Sequence, residues 1–251
     1  MPSSAAKKRR VAQMKDKPGF PIGDSLPVIL FLALLVIIVA AFQSLNSAFL
    51  SMNNVYAMLN KISMISIAAV GLTFVIIAGK CDMSFHLNAC CCGMFMAFLI
   101  ADHRIPTPAA VALGLLLGGL WGWFTGFAVS RFKFPDVITS IAVGSIGFGA
   151  AYFFHDGAYI YLLGENDLMM TSTRIAGAPL PIFIMLIVVV SSYLVLEKTA
   201  IGRKFYAVGA NMKSAYLSGV NVGGYIAAAF VISGAFASLT AMLLTSEQGY
   251  G

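Results

Sequence analysis

Side chains that could carry chemistry are scarce in this sequence, and most of them fall in one short segment. Asp82, Ser84 and His86 follow an apolar run, and the four cysteines are Cys81 and the consecutive residues 90–92. Consecutive helical residues point about 100° apart, so three adjacent thiols cannot ligate one metal ion. We therefore expect no metal site, and we interpret the cysteines as small apolar residues that pack between helices.

The sequence also lacks the common signatures of catalytic and nucleotide-binding sites. A GxxxxGK[ST] phosphate loop is absent, because Phe74 stands where the pair Gly79-Lys80 would need an upstream glycine. HExxH, GxSxG and paired carboxylates within an apolar run are also missing. We expect no enzyme and no bound cofactor, so any ATP would have to be used by another subunit.

Composition indicates a membrane protein. Hydrophobic residues make up 59% of the 251 residues, charged residues only 10%, and the mean hydropathy is +0.88, whereas a soluble chain of this size needs far more surface charge. Seven stretches lack Lys, Arg, Asp and Glu, and each is about long enough to cross a ~30 Å hydrocarbon core as a helix. They are residues 25–45, 62–79, 84–101, 107–130, 137–155, 178–196 and 222–246. We therefore predict an all-α, polytopic transmembrane helix bundle of about seven spans.

Two parts of this arrangement leave alternatives open. The second and third stretches are short and nearly adjacent, so a re-entrant or broken-helix hairpin over residues 62–101 is an alternative to two full spans. Residues 48–63 contain Asn53, Asn54 and Asn60, and we interpret them as a loop outside the cytoplasm because asparagine favours turns.

The distribution of basic residues predicts the orientation. If the basic tail 1–24 lies in the cytoplasm, all but three of the 16 Lys and Arg residues fall on the cytoplasmic side, the exceptions being Lys61, Arg104 and Arg174. Cytoplasmic loops of membrane proteins carry such an excess of positive charge. We therefore predict a cytoplasmic N-terminal tail and a transmembrane domain over 25–251. The net charge of +6 then reflects topology and contact with membrane lipid, and we expect no nucleic-acid partner.

A polar segment, residues 197–222, separates the last two apolar stretches on the predicted cytoplasmic side. Within it, residues 211–219 read NMKSAYLSG, which predicts a short helix that Asn211 caps and Gly219 ends. A short helix on the cytoplasmic face could dock a partner protein. An ordinary positively charged loop is the alternative.

Several residues of this segment stand in a recognisable order. They are Gly202-Arg203, Tyr206-Ala207-Val208-Gly209, Asn211, Ala215 and Ser218-Gly219-Val220-Asn221-Val222. In this order they resemble the cytoplasmic loop of the ribose-type ABC sugar importer permeases, the inner-membrane components of binding-protein-dependent transport systems. In that family the loop holds the coupling helix, which sits in a groove of the partner ATPase. The resemblance implies that the ATPase-coupling residues here are Gly202, Arg203, Gly209, Asn211, Ala215, Ser218 and Gly219.

A weaker similarity lies at the end of the second apolar stretch. Gly79, Asp82 and Ser84 fall where the same family carries Gly-Gly-Ile-Asp-Leu-Ser-Val-Gly, although Lys80 and His86 here replace glycines. A carboxylate near the bilayer core is costly unless it is paired, capped or hydrated. Lys80 could pair with Asp82. We interpret Asp82 and Ser84 as a cap at the start of the third span, with a place on the transport pathway as the alternative.

The fourth apolar stretch carries a regular pattern of glycines. Gly114, Gly118, Gly122 and Gly126 repeat every four residues, which places them on one face of a helix. Such a face permits the close approach of another helix, so we expect these glycines to pack against a neighbour.

The resemblance implies a permease subunit of an ATP-driven ABC importer for a pentose, hexose or related polyol, in the cell inner (plasma) membrane. It implies three protein partners: an ABC ATPase, a second permease copy and an extracytoplasmic sugar-binding protein. The family continues for several more spans, so we expect this chain to lack the C-terminal ones. The alternatives are a self-sufficient secondary carrier, which normally keeps ionisable groups within its spans, and a truncated membrane subunit that does not transport.

Overall fold

The computed structural model describes residues 22–162, 173–175 and 177–249. The chain divides into two units, Met1–Val55 and Tyr56–Gly251. Most of the predicted cytoplasmic tail 1–24 lies outside the described residues, and the first described helix begins at Ile22. Within the described ranges the chain is almost entirely helical, which confirms the predicted all-α class.

The helices are numbered here in chain order. In the first unit, α1 covers Ile22–Leu45. The next helix, α2, covers Met52–Ile77, so it begins in the first unit and continues into the second. The second unit continues with α3 (Phe85–Ala101), α4 (Thr107–Phe132), α5 (Asp136–His155), α6 (Leu180–Tyr193), α7 (Ala200–Ala210), α8 (Met212–Leu217) and α9 (Val222–Gln248). Two short antiparallel strands, β1 (Arg174–Ile175) and β2 (Ala178–Pro179), precede α6, and a π-helical turn, Leu194–Lys198, follows it.

The lengths of these helices confirm a polytopic membrane bundle. Among the described residues, six helices are long and apolar enough to span a membrane when α6 is counted together with the π-helical turn that follows it, and α3 is a shorter apolar helix of 17 residues. The second span was predicted wrongly at its start, because α2 begins at Met52 and takes in most of the supposed loop 48–63. The turn preference of Asn53 and Asn54 is a weak local effect, and it does not prevent helix here. The Ser51 hydroxyl accepts a hydrogen bond from the Asn54 N–H at 3.4 Å, which satisfies a backbone donor at the start of the helix.

The glycine face of α4 packs against α9 and α3. A Cβ atom added to Gly118 or Gly122 would run into backbone carbonyls of α9, and one added to Gly126 would lie 2.7 Å from a Cα atom of that helix. A Cβ added to Gly114 would lie 2.5 Å from the Sδ atom of Met96 on α3. The absence of side chains at Gly118, Gly122 and Gly126 therefore lets the backbones of α4 and α9 touch, and at Gly114 it leaves room for the Met96 side chain.

Two buried apolar clusters fill the second unit. One contains Met96 and Leu243, and the other contains Phe74, Phe205 and further residues of α7 and α9. The ring of Phe205 lies 5.6 Å from that of Phe74 and 5.0 Å from that of Tyr225, edge to face in both cases. These contacts hold α7 against α2 and α9, so α7 is part of the bundle's core.

The polar segment 197–222 contains more helix than predicted. The expected short helix is present as α8, and a second helix, α7, precedes it within the segment. The buried residues of α7 are Gly202, Phe205 and Val208, three residues apart, while Arg203 and Lys204 are exposed. This helical period was the signal for α7, and the charged residues and glycines of the segment obscured it.

Candidate functional site

The short helix α8 is built as the sequence predicts. The Oδ1 atom of Asn211 accepts a hydrogen bond from the Ser214 N–H at 2.9 Å, which caps the first turn. At the other end Gly219 has φ +78°, and the Val220 N–H donates to the Ala215 carbonyl at 3.0 Å. Because a left-handed residue ends the helix without a Cβ penalty, both ends of α8 are fixed by local chemistry.

The side chains of α8 divide into an inward and an outward set. Ala215 is 4% exposed and packs in the cluster that contains Phe205, whereas Tyr216 and Leu217 are 71% and 76% exposed. Large apolar side chains with this much exposure, adjacent on a short capped helix, are typical of an interaction surface. The predicted coupling set omitted Tyr216 and Leu217, although two large apolar residues within a polar segment were a usable signal.

The preceding helix α7 is tied to the π-helical turn that follows α6. The Thr199 hydroxyl accepts from the Gly202 N–H at 3.2 Å and donates to the Val195 carbonyl at 2.6 Å. On the exposed face, Tyr206 donates a hydrogen bond to Glu197 at 3.1 Å, and this bond raises the pKa of the phenol above its ordinary value. The turn between α6 and α7 is therefore held by side chains as well as by backbone.

The last turn of α7 also touches the end of α2. A Cβ added to Gly209 would meet the carbonyl oxygen of Ile77, and one added to Gly79 would lie 3.4 Å from the Cα of Gly209. Gly79 itself has φ +72°, a conformation that favours glycine. Two glycines thus let the backbone of α7 lie directly on the chain that leaves α2.

After this contact the chain runs without helix from Gly79 to Ser84, along the first turns of α5. The Cys81 N–H donates to the Asp136 carboxylate at 2.6 Å, and the Met83 N–H donates to the Ser140 hydroxyl at 3.0 Å. Non-helical backbone at membrane depth requires such partners, because lipid offers none. Residues 62–101 therefore contain the end of α2, which stops at Ile77, and the shorter helix α3, which a non-helical segment precedes.

Asp82 lies at the centre of a buried polar network in this segment. Its side chain is 8% exposed and accepts hydrogen bonds from the Ser84 N–H at 2.9 Å, the Ser84 hydroxyl at 2.6 Å and the Ser233 hydroxyl at 2.7 Å. Ser233 lies eleven residues into α9, or about 16 Å along it at 1.5 Å per residue. The carboxylate is therefore held well inside the bundle by three donors, and Lys80 is not among them.

The predicted cap at the start of α3 is present only in part. Ser84 occupies the N-cap position and Asp82 accepts its N–H, but the Ser84 side chain receives no hydrogen bond from the first turn of the helix. Instead the Ser84 oxygen accepts from the Asn88 Nδ2 atom at 3.0 Å. Asn88 is fully buried, and its Oδ1 atom has no hydrogen-bond partner. The network therefore ends on an unused acceptor inside the protein.

The predicted coupling residues differ in their surroundings. Gly202 and Gly209 make close backbone contacts, Asn211 and Gly219 bound α8, and Arg203 and Ser218 are exposed. The structure thus places all seven predicted residues on α7, α8 or the ends of α8.

Comparison with known proteins supplies the family context. The family described as branched-chain amino acid transport system, permease component, matches residues 54–251. The ribose import permease protein RbsC of Haemophilus influenzae is 30% identical over 217 residues, which cover 85% of this chain and 67% of that protein. The D-allose transport system permease protein AlsC of Escherichia coli is 29% identical over 86% of this chain and 67% of its own length. The L-arabinose transport system permease protein AraH of Escherichia coli is 30% identical over 76% and 58% respectively. No solved structure matches.

Proposed function

This chain belongs to the permease-component family of branched-chain amino acid transport systems, and we propose that it is the transmembrane permease subunit of an ATP-driven ABC importer for a sugar. The relatives described above are named for ribose, D-allose and L-arabinose. The similarity to the ribose permease, which extends over 85% of this chain, is the observation that carries the proposal. It favours a pentose, a hexose or a related polyol as the solute.

The complete importer that we propose contains an ABC ATPase, a second permease copy and an extracytoplasmic sugar-binding protein. ATP is bound and hydrolysed by the ATPase, and this chain contributes the pathway. The basic residues favour an inner (plasma) membrane location with the N-terminus and α8 in the cytoplasm. In this orientation the exposed Tyr216 and Leu217 face the ATPase, and the distal ends of α5 and α9 face outward.

The contacts of α7 suggest how movement of the ATPase reaches the membrane interior. A shift of α8 moves α7, and Gly209 presses on the end of α2 next to Gly79. Three residues further on, Asp82 is bonded to Ser233 on α9. Because packed elements of this kind move as rigid bodies between discrete arrangements, the segment 79–84 is the connection that we assign between the coupling helix and the pathway.

A self-sufficient carrier is the less favoured function. Among the described residues, Asp82 is the buried charged side chain, and its three donors all come from serine residues. Carriers that use a proton or sodium gradient normally place several ionisable groups along their pathway. The exposed surface of α8 also has no role in such a carrier, whereas an ATPase would cover it.

Co-purification with the ATPase tests the proposal. The double change Tyr216→Ala and Leu217→Ala removes the two exposed side chains without touching the core. If each is an interface anchor worth about 2 kcal/mol, the double change costs about 4 kcal/mol, so the ATPase should bind roughly 1,000-fold more weakly, and sugar-stimulated ATP hydrolysis in proteoliposomes should be lost.

The matched control is Phe153→Ala, a change of another highly exposed large side chain (89%) near the opposite end of the bundle. The control should keep both the ATPase and the stimulated hydrolysis. ATPase binding that survives the double change at full strength, or that is lost equally in the control, would contradict docking on α8.

A further inference from the structure

A continuous series of exposed aromatic rings runs along the last turns of α4 and past its end. The rings belong to Trp123, Phe124, Phe127, Phe132 and Phe134, which are 40–58% exposed. The rings of Trp123 and Phe127 are stacked with their centroids 5.3 Å apart, and Phe127 meets Phe132 edge to face at 5.8 Å. The rings of Phe132 and Phe134 are stacked at 5.5 Å. We call this surface the aromatic stripe.

The aromatic stripe lies on the part of α4 that does not pack against α9. Trp123 and Phe127 directly follow Gly122 and Gly126, which contact α9, so they point about 100° away from that contact. From Trp123 to Phe132 the stripe covers nine residue steps, or about 14 Å at 1.5 Å per residue. This length is close to half of a ~30 Å hydrocarbon core. The stripe therefore extends over about the depth of one membrane leaflet.

Two positive charges without a protein partner stand at the end of the stripe. Arg131 and Lys133 are exposed and alternate with its last two rings. In the part of the chain that the structure describes, neither side chain takes part in an ion pair or a hydrogen bond. The next acidic residue along the chain, Asp136, accepts the Cys81 N–H at 2.6 Å instead. The protein therefore leaves the charge at the turn between α4 and α5 free for a ligand.

The charge and the rings together fit an amphipathic anion at the membrane surface. In the proposed orientation this turn lies at the cytoplasmic leaflet, where anionic lipids attract Lys and Arg next to a membrane span. Aromatic side chains are also concentrated at the membrane–water interface. A phospholipid phosphate can approach the two cations while an acyl chain of the same molecule covers the rings. A zwitterionic lipid offers the same acyl chain without the net negative charge.

We propose that an anionic phospholipid binds at the end of α4, with its phosphate at Arg131 and Lys133 and an acyl chain along the aromatic stripe. The proposal depends on the membrane orientation of the chain, and it does not depend on the solute that the importer carries.

The bound lipid also stabilises the non-helical segment 79–84. The turn that carries the two cations leads directly into α5, where Asp136 and Ser140 accept the N–H groups of Cys81 and Met83. A ligand that fixes the turn therefore fixes the acceptors of both hydrogen bonds. Lipid binding and the position of this segment are thus coupled.

Trp123 is a reporter inside the proposed site. The chain has two tryptophans, so Trp121→Phe leaves Trp123 as the only one. This variant is reconstituted in phosphatidylcholine vesicles that contain a small fraction of either brominated phosphatidylglycerol or brominated phosphatidylcholine, and quenching of Trp123 gives the relative affinity of the two lipids. A basic residue near an anionic surface contributes about a fivefold preference. We therefore expect the two cations to favour phosphatidylglycerol roughly 25-fold.

Three double variants in the same background assign this preference to the site. Arg131→Gln with Lys133→Gln should abolish most of it, whereas Arg131→Lys with Lys133→Arg keeps both charges and should retain it. The matched control is Lys61→Gln with Arg104→Gln, which removes two exposed charges on the predicted opposite side of the membrane and should also retain it. Because the charge-keeping and control variants carry the same number of changes, they separate loss of the site from loss of folding.

Equal quenching by the two brominated lipids would overturn the proposal, because the stripe would then contact bulk lipid without selection. A preference that survives Arg131→Gln with Lys133→Gln would attribute it to the general surface charge, which also overturns the site. Quenching by neither lipid, as expected if a protein surface covers the rings, has the same consequence.

Hydrogen exchange tests the coupling to the segment 79–84. Exchange of the Cys81 and Met83 amides, followed by mass spectrometry, should be several-fold slower in vesicles that contain phosphatidylglycerol than in phosphatidylcholine alone. The variant Arg131→Gln with Lys133→Gln should show equal rates in both. Rates that do not depend on the lipid in the unchanged protein would overturn the coupling, and none of these results bears on which solute is imported.

Discussion

The close packing of α4 on α9 gives a sharp test of the structure, because two adjacent glycines differ in their surroundings. A Cβ atom at Gly118 would collide with the carbonyl oxygen of Gly234, whereas the nearest atom to a Cβ at Gly119 is Cγ1 of Val231 at 3.9 Å. We therefore expect Gly118→Ala to destabilise the protein and Gly119→Ala to leave it unchanged or slightly more stable.

The magnitude follows from the cost of overpacking. The Gly118 substitution must separate two backbones that touch, and inserting a methyl group into a packed interface typically costs about 1–3 kcal/mol. Both substitutions share the gain of roughly 0.5–1 kcal/mol that alanine brings to a helix interior. The difference between the two variants is therefore the packing term, about 1–3 kcal/mol. For a chain of this length, a packing cost of this size lowers the melting temperature of Gly118→Ala relative to that of Gly119→Ala by roughly 2–12 °C.

Thermal unfolding in detergent measures this difference. Trp121 on α4 packs against Gly147 of α5, so its fluorescence should report on separation of these helices. Equal melting temperatures for the two variants, or a more stable Gly118→Ala, would refute the close contact between α4 and α9.

Two further predictions concern the chain between the coupling helix and the membrane interior. Gly209→Ala places a methyl group against the last carbonyl of α2, so it should abolish sugar stimulation of ATP hydrolysis while the ATPase stays bound. The control is Gly223→Ala, whose Cβ would meet nothing closer than 3.7 Å, and sugar should still stimulate ATP hydrolysis in this variant. Equal stimulation in both variants would argue against transmission through Gly209. Ser233→Ala removes one of the three donors to Asp82 and should cost about 1.5–3 kcal/mol in unfolding free energy, since the acceptor is a buried carboxylate. The exposed Ser191→Ala should change this free energy by less than about 0.5 kcal/mol, and a Ser233→Ala variant as stable as this control would show that the bond contributes little.

Local sequence signals predicted the helices of the bundle and part of the site. Charge-free runs marked the spans, the spacing of Gly114 to Gly126 marked a close-packed face, and Asn211 and Gly219 marked both ends of α8. Each of these features depends on residues that are near one another in the chain. The start of α2 was missed because Asn53 and Asn54 suggest turns.

Features that depend on distant residues were beyond the reach of these signals. The non-helical segment 79–84 is stabilised by Asp136 and Ser140, which lie 55 and 57 residues away from their partners. Ser233, which completes the Asp82 network, is 151 residues away. The side chains that assemble the interior of this site are thus brought together only by helix packing.

The claim on which the account depends is that α8 contacts an ATPase in the cytoplasm. Incorporation of a photo-crosslinking phenylalanine derivative at Leu217, in cells that express the whole transport system, tests it most directly. The account predicts an adduct between this chain and the ATPase after irradiation, and none when the same derivative replaces Phe153. An adduct with the ATPase from position 153 but none from position 217, or reaction of position 217 with the extracytoplasmic binding protein, would contradict it.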